Sequence, residues 1–116
     1  APSVIASLNS ENDFLAALRQ YPFSLPLLEK ARGFFNQRNK PKTAYQAILN
    51  ALRFRRDSPE LQKMYILQCL QLRLTEFAED ALRDLFSLVP PTDYQAFLKI
   101  YQSQRALIEK ERESFQ

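Results

Sequence analysis

Apolar residues recur at helical spacing, three and four positions apart, in six stretches of this chain, and short polar runs separate them. The first stretch covers about 10–20, with Ser10 as a cap, Asp13 three residues on, and an apolar face of Phe14, Leu15, Ala17 and Leu18. Ser24 precedes the second, 25–37, which tolerates Pro26 in its first turn and carries Leu27, Leu28, Ala31, Phe34 and Phe35. The polar run 36–42, with Pro41 inside it, predicts a turn. Thr43 with Gln46 then predicts a capping box for a third helix over 44–55, burying Ala44, Ala47, Ile48, Ala51 and Leu52. Ser58-Pro59 starts a fourth, 59–73, which is apolar nearly all round and so belongs between neighbours. Thr75 opens a fifth over 76–88, ended by Pro90-Pro91. Thr92 with Gln95 opens a sixth over 93–114, whose stripe of Tyr94, Phe97, Leu98, Tyr101 and Ile108 thins into a charged end from Glu109 to Glu113. Such an end suits a helix that closes a stack and faces water. Residues 1–9 read as an extended N-terminal segment, and 10–116 as one domain.

The start residues Ser24, Ser58 and Thr92 are evenly spaced, each a step of 34 beyond the last. Core positions follow the same offset. Leu27 maps to Leu61, Phe35 to Cys69, Ala44 to Ala78, Ile48 to Leu82 and Ala51 to Leu85. Going back by the same step, Ala51-Leu52-Arg53 lands on Ala17-Leu18-Arg19, so the opening helix reads as the second helix of an earlier unit. Phe34 against Gln68 and Lys30 against Met64 break the pattern. The units are 24–57 and 58–91, with a C-terminal capping helix over 92–114.

A 34-residue period of paired helices resembles the tetratricopeptide repeat family, over roughly 10–104. Ala47 and Ala81 match the family's small residue near the start of the second helix, and Pro59 matches its closing proline. Cys69 matches its small first-helix position, and Gly33 does so approximately. There is no tryptophan, and the third unit keeps only its first helix, so the repeats are degenerate. The resemblance implies an all-α superhelix of antiparallel hairpins, about six helices in all. One hairpin cannot bury its apolar face alone, so units stack. The opening helix has no visible partner in the sequence. The chain is therefore expected to be the C-terminal part of a longer array, with self-association possible through that unpaired helix.

Composition narrows the function more by exclusion. The chain has no histidine, one cysteine (Cys69) and one glycine (Gly33). This leaves no common general base, no zinc cluster and no phosphate-cradling loop. No catalysis and no cofactor are expected. Glu76, Asp80 and Asp84 follow one another at four-residue spacing and read as a solvated face. No stretch reaches the length of a membrane span. A lone cysteine leans toward a reducing compartment such as the cytoplasm. The absence of an initiator methionine leaves the compartment open.

Two surfaces are candidates for partners. By the resemblance, the first helix of each unit lines a concave groove, represented here by Glu29, Arg32, Asn36, Lys63, Ile66, Leu70, Phe97 and Ile100. Arg32 and Asn36 fit half of a family clamp for a peptide carboxylate, but Leu67 and Tyr101 stand where its next polar partners belong. The groove then suits an extended or helical peptide. Alternatively, Ile66, Leu70, Phe97 and Ile100 are core beneath the last helix. The second surface is a basic patch of Arg38, Lys40, Lys42, Arg53, Arg55 and Arg56. The net charge of +3 is too mild to call for nucleic acid by itself. The leading expectation is a protein-interaction scaffold that binds a protein or peptide. The alternatives are a nucleic-acid-binding repeat using 38–56 and a structural spacer or cap.

Overall fold

A computed structural model describes residues 5–114, all helices and connections, with six helices of ten residues or more among them. They are α1 (Glu11–Gln20), α2 (Leu25–Gln37), α3 (Pro41–Phe54), α4 (Pro59–Gln71), α5 (Thr75–Phe86) and α6 (Pro91–Ser114). Each packs on its neighbour in sequence, and α4 also packs on α2 and α6. The core has two parts. One gathers Phe14, Leu27, Leu28, Ala31, Phe35, Ala44 and Ile48 with Leu61 and Met64 of α4; the other gathers Ile66, Cys69 and Leu70 of α4 with Ala78, Leu82, Leu85, Phe97 and Tyr101. Because α4 feeds both parts, it is buried on most sides, as its all-round apolar sequence requires.

The hairpins α2–α3 and α4–α5 turn in the same way. Asn39 and Arg73, related by the same step of 34, both adopt the left-handed conformation with φ near 60°. The Lys40 N–H donates to the Phe35 carbonyl at 2.8 Å, and the Leu74 N–H to the Cys69 carbonyl at 2.8 Å. Asn39 to Asn36 and Arg73 to Leu70 complete a Schellman stop in each hairpin. The starts match too. Ser24 Oγ accepts the Leu27 N–H, and Ser58 Oγ accepts the Leu61 N–H, both at 3.3 Å. Upstream, Tyr21 bonds to Ala17 as Arg55 bonds to Ala51, so α1 ends as α3 does.

Several boundaries differ from the sequence expectation. Asn39 stops α2 so sharply that α3 begins at once, with Pro41 at its first position and no side-chain cap. Thr43 lies inside α3, so the expected Thr43–Gln46 box does not cap it. Likewise Thr75 is the first residue of α5, and its N-cap Leu74 makes no side-chain bond. α6 begins at Pro91, which puts Thr92 within it. Val89 and Pro90 each precede a proline, a position that disfavours helical geometry, and α5 ends ahead of them at Phe86. α5 therefore has 12 residues against the 14 of α3, and the 34-residue step is lost at α6.

The N-terminal segment is not wholly extended. Ile5 and Ala6 are helical, and Ile5 and Leu8 pack on the core beside α1; residues 1–4 lie outside the described residues. Phe14 is fully buried and Leu18 nearly so, covered within the chain itself. The exposed apolar face expected to drive self-association of α1 is therefore absent at these two residues. Gly33 is solvent-exposed, and a Cβ there would meet nothing within 4 Å, so no close helix approach depends on it.

Candidate functional site

The first-helix face is largely closed. Ile66, Leu70 and Phe97 are 0%, 3% and 5% exposed, because α6 packs on α4 and takes them into the core. These three cannot line an open groove. Asn36 is committed elsewhere: its Nδ2 donates to Gln68 Oε1 at 3.2 Å, and its Oδ1 accepts from Gln68 Nε2 at 2.8 Å. Gln68 Nε2 also donates to the Pro41 carbonyl at 2.8 Å. Glu29 is exposed and pairs with Arg32 at 2.7 Å. Lys63 is half-buried. Ile100, on α6, remains half exposed.

The basic residues do not form one patch. Arg38, Lys40 and Lys42 sit at one end of α3, and Arg53, Arg55 and Arg56 at the other, with a helix of roughly 20 Å between. The Arg38 guanidinium lies over the Phe34 ring at 4.2 Å, and Arg55 over Phe23 at 4.7 Å. Lys40 pairs with Glu11 at 2.7 Å. Arg55 also borders a shallow concavity with Phe23 and Asp57, whereas Arg53 and Arg56 share another with α5.

That concavity is one of two clefts between successive second helices. In the first, of about 520 Å³, Leu15, Leu18, Arg19 and Pro22 face Thr43, Gln46, Ala47 and Asn50. Adding 34 to each gives Leu49, Leu52, Arg53 and Arg56 facing Phe77, Asp80, Ala81 and Asp84. All eight line the second cleft, of about 280 Å³. Ala47 and Ala81, read from sequence as close-approach residues, occupy equivalent places on these walls.

The two clefts differ in chemistry. Arginine on one wall of the second faces aspartate on the other, and Gln62 and Tyr65 of α4 complete its lining. Asp80 pairs with Arg83 on its own helix, and among the described residues no ion pair crosses the gap. Gln62 is 5% exposed; its Nε2 donates to the Arg56 carbonyl at 3.0 Å, and its buried Oε1 has no partner among the described residues. Burial, then a hydrogen bond with Tyr45, holds the Tyr65 hydroxyl well above the usual phenol range, so it stays protonated. Burial likewise pushes the Cys69 thiol up to about 11, away from a nucleophilic thiolate.

The clefts lie on the second helices, whereas the family resemblance puts the binding face on the first helices. Applying the 34-residue offset to the polar positions of the second helices would have paired Arg19 with Arg53 and Asn50 with Asp84. In comparisons with protein-family models, curated proteins and solved structures, nothing matches this chain. Among the described residues no helix is long and apolar enough to cross a membrane.

Proposed function

We propose that this chain is a non-catalytic protein-interaction module, built of tetratricopeptide-like hairpins that stack into a curved array and hold a protein or peptide partner. The observation that carries this reading is the recurrence, at one fixed step along the chain, of the Schellman turns, the serine caps and the clefts. A fixed step of one hairpin repeats side-chain positions along a face, which suits recognition of an extended partner better than enclosure of a small substrate. The nearly closed first-helix face moves the expected binding surface to the second helices. The mildly basic charge, divided between two ends of α3, gives no comparable support to nucleic acid.

Affinity capture tests it. The immobilised chain, incubated with extract of the cells that make it and washed at physiological salt, is expected to retain one or a few proteins reproducibly. Retention of nucleic acid alone, with all protein lost after nuclease treatment, contradicts the proposal.

A further inference from the structure

The cleft between α3 and α5 has unspent polar capacity in a specific arrangement. Arg53 and Arg56 offer two guanidinium groups on one wall, with no ion pair to a described residue. Asp84 stands on the other wall. Gln62, only 5% exposed, keeps an acceptor oxygen that nothing described satisfies. A buried acceptor without a partner is destabilising, and a ligand N–H reaching it would offset that cost. The opposite end of the cleft is apolar, where Leu49 faces Phe77, whose ring is half exposed.

Resting on the interaction-module reading, we infer that the outer, second-helix face is the docking surface, and that its α3–α5 cleft takes a linear peptide with an apolar residue followed, a few residues on, by a single acidic one. Leu49 and Arg53 lie four residues, about 6 Å, apart along α3, and Arg56 stands in the turn beyond the helix end. An extended peptide covers about 3.3 Å per residue, so about two residues span Leu49 to Arg53 and one or two more reach Arg56. The apolar side chain seats between Leu49 and Phe77, the carboxylate meets the Arg53 and Arg56 guanidiniums, and a peptide N–H donates to Gln62 Oε1 after a side-chain rotation that brings this buried oxygen into the cleft. Asp80 and Asp84 on the facing wall repel a run of negative charge. The cleft thus selects one acid and rejects a polyanion such as nucleic acid. The neighbouring cleft, one unit away, has no acidic wall and offers the same peptide a larger apolar seat.

The test is selection of short random linear peptides displayed against the whole chain, followed by affinity measurement on three variants. Arg53→Glu reverses the key charge, Gln62→Met removes the free acceptor at similar volume, and Lys63→Glu alters the first-helix face. Circular dichroism confirms that each is folded. The expected result is enrichment of apolar–spacer–acidic sequences that lose about tenfold or more on Arg53→Glu. They lose a smaller factor on Gln62→Met and nothing on Lys63→Glu. Peptides that bind Arg53→Glu undiminished and fail on Lys63→Glu would overturn the cleft assignment while leaving the interaction-module reading intact. Failure to enrich any sequence over an unrelated helical protein would overturn it too, as would equal competition by a single-stranded oligonucleotide at ~0.15 M salt. The module reading itself fails only on the capture experiment.

Discussion

Gln68 shows how one residue can look like noise in a repeat and yet hold it together. In sequence it breaks the offset, since the equivalent position is Phe34. In the fold it is fully buried and bonds Asn36 and the Pro41 carbonyl, tying α4 to the end of one helix and the start of the next. Gln68→Ala leaves those groups unsatisfied and opens a cavity, so a loss of about 2–4 kcal/mol is expected in urea denaturation. A loss under about 0.5 kcal/mol would mean that the amide pair contributes nothing. The pairing was not legible, because an amide network depends on the register between two units. Cys69 was better anticipated, as a small core residue. Its thiol, raised to about 11 by burial against an ordinary value of 9.0, gives a signed pH effect. Between about pH 9 and 11 the unfolded chain releases this proton and the native chain keeps it, so stability falls as pH rises through that window. Below pH 9 both forms are protonated and the effect vanishes. Replacing Cys69 by alanine is expected to flatten this part of the stability–pH curve; an unchanged slope would rule the thiol out as its source.

Among the elements, the serine starts and the proline starts behave differently. Ser24 and Ser58 cap their helices through the side chain, as the sequence indicated. Thr43, Thr75 and Thr92 do not, because in each case the helix begins before or at the threonine. The reason is local: Asn39 and Arg73 end the preceding helix in a left-handed turn, and Pro41 and Pro91 are prearranged for the first helical position. A threonine three residues before a glutamine is therefore ambiguous unless the stop ahead of it is placed first. Ser58→Ala is expected to cost about 1 kcal/mol and Thr92→Ala only a few tenths, compared by chemical denaturation. Equal losses would restore Thr92 as a cap and the third start to its place in the repeat.

For the molecule as a whole, the sequence carried the six helices, the central place of α4 and the pairing of helices into hairpins. It did not carry the choice between an open first-helix groove and one filled by α6. That choice rests on how a 24-residue helix lies across its neighbours, which periodicity alone does not encode. Phe97 decides it. Buried between α6 and the rest of the second core, Phe97→Ala is expected to cost about 3–5 kcal/mol. A near-neutral result would mean that α6 stands away and the groove is open.

The equal step between second helices is what makes the two clefts counterparts, and it can be measured directly. Ala16, Asn50 and Asp84 are exposed on α1, α3 and α5 and occupy equivalent places in successive units. Spin labels on cysteines placed at 16 and 50, and separately at 50 and 84, in a Cys69→Ala background, report the two steps by dipolar spectroscopy. The expected result is two overlapping distance distributions, with the 16–84 pair at less than twice their mean, as the proposed curved array requires. Mean distances for the two steps that differ by as much as a helix diameter, about 10 Å, would contradict the repeat and the equivalence of the clefts with it.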